Sequence, residues 1–194
     1  KRAYLHLVKD VSRSLVRRSF DTLPGFGQRV AVDSTTLKAW SNGGKMRKAD
    51  KEAGWSVKKG TQGRHEAVYG WKLHLLVDAE YELPIEAHVS AGNVHDAKRA
   101  SNVLSEAQFT MRGKFRPHFV MADKGYSGKP MQELVRRYWA KPIVDINPAH
   151  ERLARRTAKK RATLEWTALY RQRSAVERVF SRLKGQRALN RITV

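Results

Sequence analysis

Three short β-type runs in this chain each close on an aspartate: Arg29-Val-Ala-Val-Asp33, residues 70–78 (GWKLHLLVD) and residues 118–123 (HFVMAD). Runs of this length and β-branched content read as strands. An Asp at the end of such a run is costly to bury unless something pairs with it. Helix-type segments separate the later strands, which confines the chain to mixed α/β architecture, a central sheet of about five strands with helices on both faces. With 194 residues and 41% hydrophobic content there is length and apolar mass for one real core.

The remaining segments fill in that plan. Residues 3–19 have helical spacing, with Tyr4, Val8, Val11 and Leu15 on one stripe, and LPGFGQ breaks them. Residues 38–66 are polar, basic and Gly-rich, and read as a long loop or mobile hairpin carrying Trp40, Trp55, Lys58 and Lys59. Residues 70–78 and 83–90 are joined by a short turn and read as an antiparallel pair. A helix is expected at about 95–107, and another capped by Ser127 with Pro130 in its first turn. A strand follows at 141–146, then a basic linker at 149–162. Thr163 is placed to cap one long final helix ending at Lys184, with Gly185 just past its end. Residues 1–27 thus form a basic helix and connector, and residues 28–194 a single domain. The chain starts at Lys1 and stops at Val194, and reads as a piece of a longer protein.

Charge narrows the function. There are 39 Lys and Arg against 18 Asp and Glu, a formal net charge of +21. A folded domain this basic meets a polyanion, and nucleic acid is the commonest. The absence of cysteine excludes a disulfide framework, a Cys-type zinc site and a thiol nucleophile. The apolar runs are too short to span a bilayer and the N-terminus has no signal-peptide pattern, so a cytoplasmic, DNA-associated setting without membrane contact is expected.

The segment YRQRSAVERVFSRLKG (170–185) holds one acid, Glu177, among five cations. At helical spacing Tyr170, Arg173, Glu177 and Lys184 fall within an arc of about 60°, apart from an apolar face of Val176, Val179, Phe180 and Leu183. Arg171, Arg178 and Arg182 form a third stripe. Glu177 can simply pair with Arg173 four residues back. It can also bind a metal, if other carboxylates join it. Asp33 and Asp123 sit at strand ends, where ligand sites form in α/β proteins. Mg²⁺ takes oxygen ligands, and two ions about 3.5–4 Å apart serve phosphodiester chemistry.

The spacing Tyr170-x2-Arg173-x3-Glu177-x6-Lys184 resembles the YREK signature of bacterial insertion-sequence transposases of the DDE type. AVDSTT, YGWKLHLLVD, VSAGNVHDAKRA and MADKGYSG are similar, in order, to that family's strand and turn segments. The resemblance covers residues 28–188. It implies a ribonuclease-H-like fold. It also implies Mg²⁺-dependent cleavage at transposon ends (Mn²⁺ substituting, two ions) and transfer of the freed 3′-hydroxyl into target DNA. Asp33, Asp123 and Glu177 would be the metal-binding catalytic triad. Tyr170, Arg173 and Lys184 would hold phosphates, and the assembly on double-stranded DNA would be a homodimer.

Other residues have plainer readings. Asp78 reads as a solvated turn acid, Asp96 as a helix cap beside His95, and Asp145 as a turn residue. His74 reads as a core histidine. Arg178, Lys58 and Lys59 read as DNA contacts, as does the charge run from Arg155 to Arg161. The alternatives are a metal-dependent nuclease without strand transfer, and a basic nucleic-acid-binding domain whose acids are structural.

Overall fold

Among the described residues, seven strands make one sheet around β1 (Arg29–Ala39). The computed structural model describes residues 2–40, 52–59, 65–145, 163–189 and 191–192, with backbone alone for 2–5, 58–59 and 191–192. On one side β1 pairs antiparallel with the 14-residue β3 (His65–Asp78), from Val30↔Asp78 to Lys38↔Gly70. β3 pairs antiparallel with β2 (Gly54–Lys59) over its first residues and with β4 (Pro84–Ala91) thereafter. On its other side β1 pairs parallel with β5 (Phe119–Ala122), and β5 pairs parallel with β6 (Lys141–Val144). β7 (Arg191–Ile192) pairs with the far end of β1 at Lys38 and Ala39.

Parallel neighbours need a crossover. Here α2 (Asp96–Thr110) connects β4 to β5, and α3 (Lys129–Arg137) connects β5 to β6. Together with α1 (Arg2–Thr22) they cover one sheet face, where Val30, Val32, Leu76, Val120 and Ala122 meet Val103, Leu104, Met131 and Val135. The opposite face, with Ala31, Leu37, Leu75, Val77 and Met121, packs on α4 (Leu164–Arg171) and α5 (Ser174–Gly185) through Leu169, Val176, Val179 and Phe180. Alternate residues of β1 thus serve opposite cores, as the period of two demands. Each large side chain so buried contributes about 1.5–3 kcal/mol.

The mixed α/β sheet with helices on both faces is as expected, but four local expectations are corrected. Within the stretch read as a long loop or mobile hairpin, β2 pairs antiparallel with the start of β3, which favours the hairpin over the loop, and β1 and β3 run further into that stretch from either end. With β7 this makes seven strands among the described residues, where about five were expected. Gly70 permits the close crossing there, since a Cβ would stand 2.1 Å from the Leu37 carbonyl oxygen. In α1 the stripe of Val8, Val11 and Leu15 is exposed, while Val16, Phe20 and the stems of Arg13 and Arg17 face α2. α3 begins after Gly128, at φ 149°, rather than with a Ser127 cap. The final helix breaks into α4 and α5. Thr163 does cap α4 through the Trp166 amide, but the amides of Gln172, Arg173 and Ala175 bond three residues back, tightening the backbone into 3-10 turns. Gly185 is the last helical residue, and Gln186 is the cap.

Candidate active site at the carboxyl ends of two parallel strands

β1 and β5 run parallel with Val32 opposite Ala122, and the next residue of each is Asp33 and Asp123. The two acids therefore stand side by side where the pairing ends. By strand alternation both belong to the α5 side of the sheet, like Ala31 and Met121. Each accepts a hydrogen bond at Oδ1 from the amide of the following residue, Ser34 at 2.8 Å and Lys124 at 2.6 Å. The second oxygen of each makes no hydrogen bond among the described residues. Burial pushes the Asp33 carboxyl up to about 6, and the carboxylates of Asp123 and Asp96 add to the rise, against the Ser34 amide and the Arg173 guanidinium.

The α4–α5 break carries the cation. Arg173 sits at the break and its Nη1 donates to Glu177 Oε1 at 2.7 Å. Its guanidinium also lies over the Tyr170 ring, 5.6 Å from the centroid, and acts electrostatically on both Asp33 and Asp123. Tyr170 in turn stacks on Trp166 at 4.9 Å. Further along α5, Lys184 Nζ donates to Thr35 Oγ1 at 2.5 Å, two residues from Asp33 on the same side of β1. Tyr170, Arg173, Glu177 and Lys184 are thus brought to the Asp33–Asp123 end of the sheet.

Among the described residues, no three His, Asp or Glu side chains stand closely enough to hold a metal ion. Arg173 instead supplies the positive charge among Asp33, Asp123 and Glu177. The donor types suit a hard divalent cation: two neighbouring carboxylates with uncommitted oxygens, and a third carboxylate on a fixed arginine. No soft ligand competes, since the chain has no cysteine.

Several other candidates are placed elsewhere. Arg178 and Arg182 bind Glu82 of the β3–β4 turn, Arg182 Nη1 at 2.6 Å from Oε2 and Arg178 Nε at Oε1. Arg178 is therefore directed to Glu82 rather than to the aspartates. The side chains of Lys58 and Lys59, and the run 155–161, lie outside the described residues. Asp78 is not a solvated turn acid: it is wholly buried and accepts from three backbone amides. His74 is a buried core histidine, its Nε2 2.9 Å from Ser90 Oγ, with burial lowering its pKa to about 4. Sequence reasoning missed Thr35, Glu82 and the Lys72–Asp96 ion pair at 3.0 Å. Lys72 did offer a signal, as a cation inside an apolar strand run.

Residues 24–194 match the transposase DDE domain family. The chain belongs to that family. This transposase domain is also similar to two solved structures, both with low overlap. One is titled the Mos1 transposase paired-end complex with left transposon end, at 11% identity and TM-score 0.35, covering 89% of this chain and 59% of that one. The other is titled the Mos1 strand transfer complex, at 10% identity and TM-score 0.36, covering 95% and 61%. The transposase domain spans about six-tenths of the length of those chains. No curated protein sequence matches it. No helix among its described residues is long and apolar enough to cross a membrane.

Proposed function

We propose that this transposase domain hydrolyses a phosphodiester at the ends of an insertion sequence in double-stranded DNA, then directs the freed 3′-hydroxyl into target DNA. The observation that carries this reading is the side-by-side placement of Asp33 and Asp123 one step past Val32↔Ala122, with Arg173 acting on both and bonded to Glu177. Asp33, Asp123 and Glu177 would hold Mg²⁺ or Mn²⁺. Bound there, the metal supplies Lewis-acid activation of the attacking oxygen and stabilisation of the leaving one.

The chain's own residues do the rest. A DNA phosphate reaching Arg173 competes with Glu177 for the guanidinium and frees the carboxylate for the centre. Lys184 offers a second cationic contact beside Thr35, and Tyr170 holds the Arg173 side chain from one side. Affinity comes mainly from such cations and falls with salt. Two copies acting on paired ends is the assembly this reading carries with it.

The test is an Mg²⁺-dependent assay on duplex DNA bearing the flanks of the chain's own element. Wild-type protein cuts at the element end, and pre-cleaved ends yield joined products. Asp33→Asn, Asp123→Asn and Glu177→Gln lose cleavage but retain DNA binding. Cleavage that persists in Glu177→Gln sinks the assignment. Cleavage without joined products identifies a nuclease that lacks strand transfer.

A further inference from the structure

One face of α1 is docked and the other is exposed. On the docked face Arg13 pairs with Glu106 at 3.4 Å and lies over the Phe109 ring, 4.9 Å from its centroid. Arg17 Nε donates to the Thr110 carbonyl at 2.7 Å, and Val16 and Phe20 pack on the core. On the other face Leu7, Val8, Val11 and Leu15 are 59%, 52%, 53% and 61% exposed, although they fall within an arc of about 100°. They join neither of the two cores. Among the described residues, no other helix exposes more than one large apolar side chain. A contiguous apolar stripe on a domain surface marks a place that another protein covers.

The spacing says what kind of surface fits it. Tyr4, Val8, Val11 and Leu15 follow at intervals of four, three and four residues, the step of a seam between two helices. In that register the flanking positions are Leu5, Leu7, Ser12 and Ser14, and none of them is charged. Lys9, Asp10, Arg13 and Arg17 lie off the seam, and Arg18 ends it. DNA therefore finds no cation along this stripe, and a charged protein partner finds no counter-charge. Two copies of a chain with net charge +21 can meet there without like charges face to face. The stripe is also its own complement. Two such helices packed antiparallel about a twofold axis set Val8 of each copy against Val11 of the other.

We propose that the Leu7–Leu15 face of α1 is a self-association surface that joins two copies of this chain, helix against helix. It gives a location to the two-copy assembly of the reading above, and rests on that reading for the role of DNA. So short a seam covers less than the about 800 Å² per partner of a stable pair, so the free chain pairs weakly. Two copies held on paired DNA ends meet at a high effective concentration, where a weak seam suffices.

The chain has no cysteine, so one introduced thiol reports on one position. The experiment treats Val11→Cys, on the stripe, and Ser101→Cys, at an exposed position of α2, with a short bis-maleimide. It is run with and without duplex DNA bearing the ends of the chain's own element, and dimers are read on denaturing gels. Val11→Cys should give crosslinked dimer, with a higher yield on DNA, and Ser101→Cys only the collisional background. Adding Val8→Glu and Leu15→Glu to Val11→Cys should cut the dimer yield at least about tenfold, because each acid is then forced into an apolar seam. The thermal melt should stay near that of Val11→Cys, since these side chains are exposed in the single chain. A Val11→Cys protein that crosslinks no more than Ser101→Cys, with DNA and without it, overturns the proposal. So does a dimer yield that the two acids leave unchanged. If the doubly acidic protein does not melt cooperatively, Leu15→Ser takes its place and is judged on the same yield. Dimers trapped through position 11 in a protein that cuts no DNA uphold the surface and remove only the transposition chemistry; cutting without such dimers does the reverse.

Discussion

Asp33 and Asp78 lie on paired strands three rungs apart, since Val30 faces Asp78 and Asp33 faces Leu75. Both close apolar runs, and burial pushes both carboxyls up. Their surroundings differ. Asp78 accepts from the amides of Gly27 at 2.7 Å, Glu80 at 3.0 Å and Tyr81 at 2.8 Å, so it ties the β3–β4 turn to the segment before β1. Asp33 accepts from one amide, and otherwise meets the charges of Arg173, Asp123 and Asp96. An acid satisfied by backbone is a structural rivet. An acid left with a free oxygen among other charges is a candidate site.

The sharpest break of this contrast is an exchange of phenotypes. Asp33→Asn should reduce DNA cleavage to the uncatalysed background while the melting temperature holds or rises. Asp78→Ala should orphan one buried and two part-buried amides and cost about 2–4 kcal/mol in urea unfolding. If the Asp33 variant is the one that unfolds, the contrast is wrong.

Acid titration separates the two acids next. The folded Asp33 pKa of about 6 lies above its ordinary value of 3.8, so between those values the folded state holds more protons than the unfolded one. Stability from this group is therefore present at low pH and is lost as pH rises toward 6. Melts in the presence of a chelator should show that loss in wild type, and less of it in Asp33→Asn.

Smaller effects test the cations. Lys184→Ala should weaken DNA binding and lower the magnitude of the salt slope by about one. Glu82→Ala should change stability by less than about 1 kcal/mol, because its pairs with Arg178 and Arg182 are largely exposed. It should also raise DNA affinity by freeing two guanidinium groups, read by filter binding.

The acids at the strand ends were legible because an aspartate stands out in an apolar strand. Their destinies were not, because amides from Gly27 and Tyr81 are supplied by turns whose path no local pattern declares. The Arg173–Glu177 pair was readable from its spacing of four. The break at Gln172–Arg173 was not, since all of these residues favour helix and only tertiary packing tightens the turn. In α1, periodicity found the stripe of Val8, Val11 and Leu15 but not which face docks. The long stems of Arg13 and Arg17 cover α2 as well as aliphatic residues would. β2 was hidden by its polar neighbours and is held by pairing with β3, including the Trp55–Tyr69 contact at 5.3 Å.

The pairing of Val32 with Ala122 has a consequence for how this domain can fail. A slip of one residue between β1 and β5 would send Asp33 and Asp123 to opposite sides of the sheet, and would also turn Val30 and Val32 out of their core. The spacing of the acids is thus gauged by greasy side chains that never touch DNA. A folded but misaligned site is excluded by the same contacts that make the chain fold, so core substitutions near Val32 should act on both properties together.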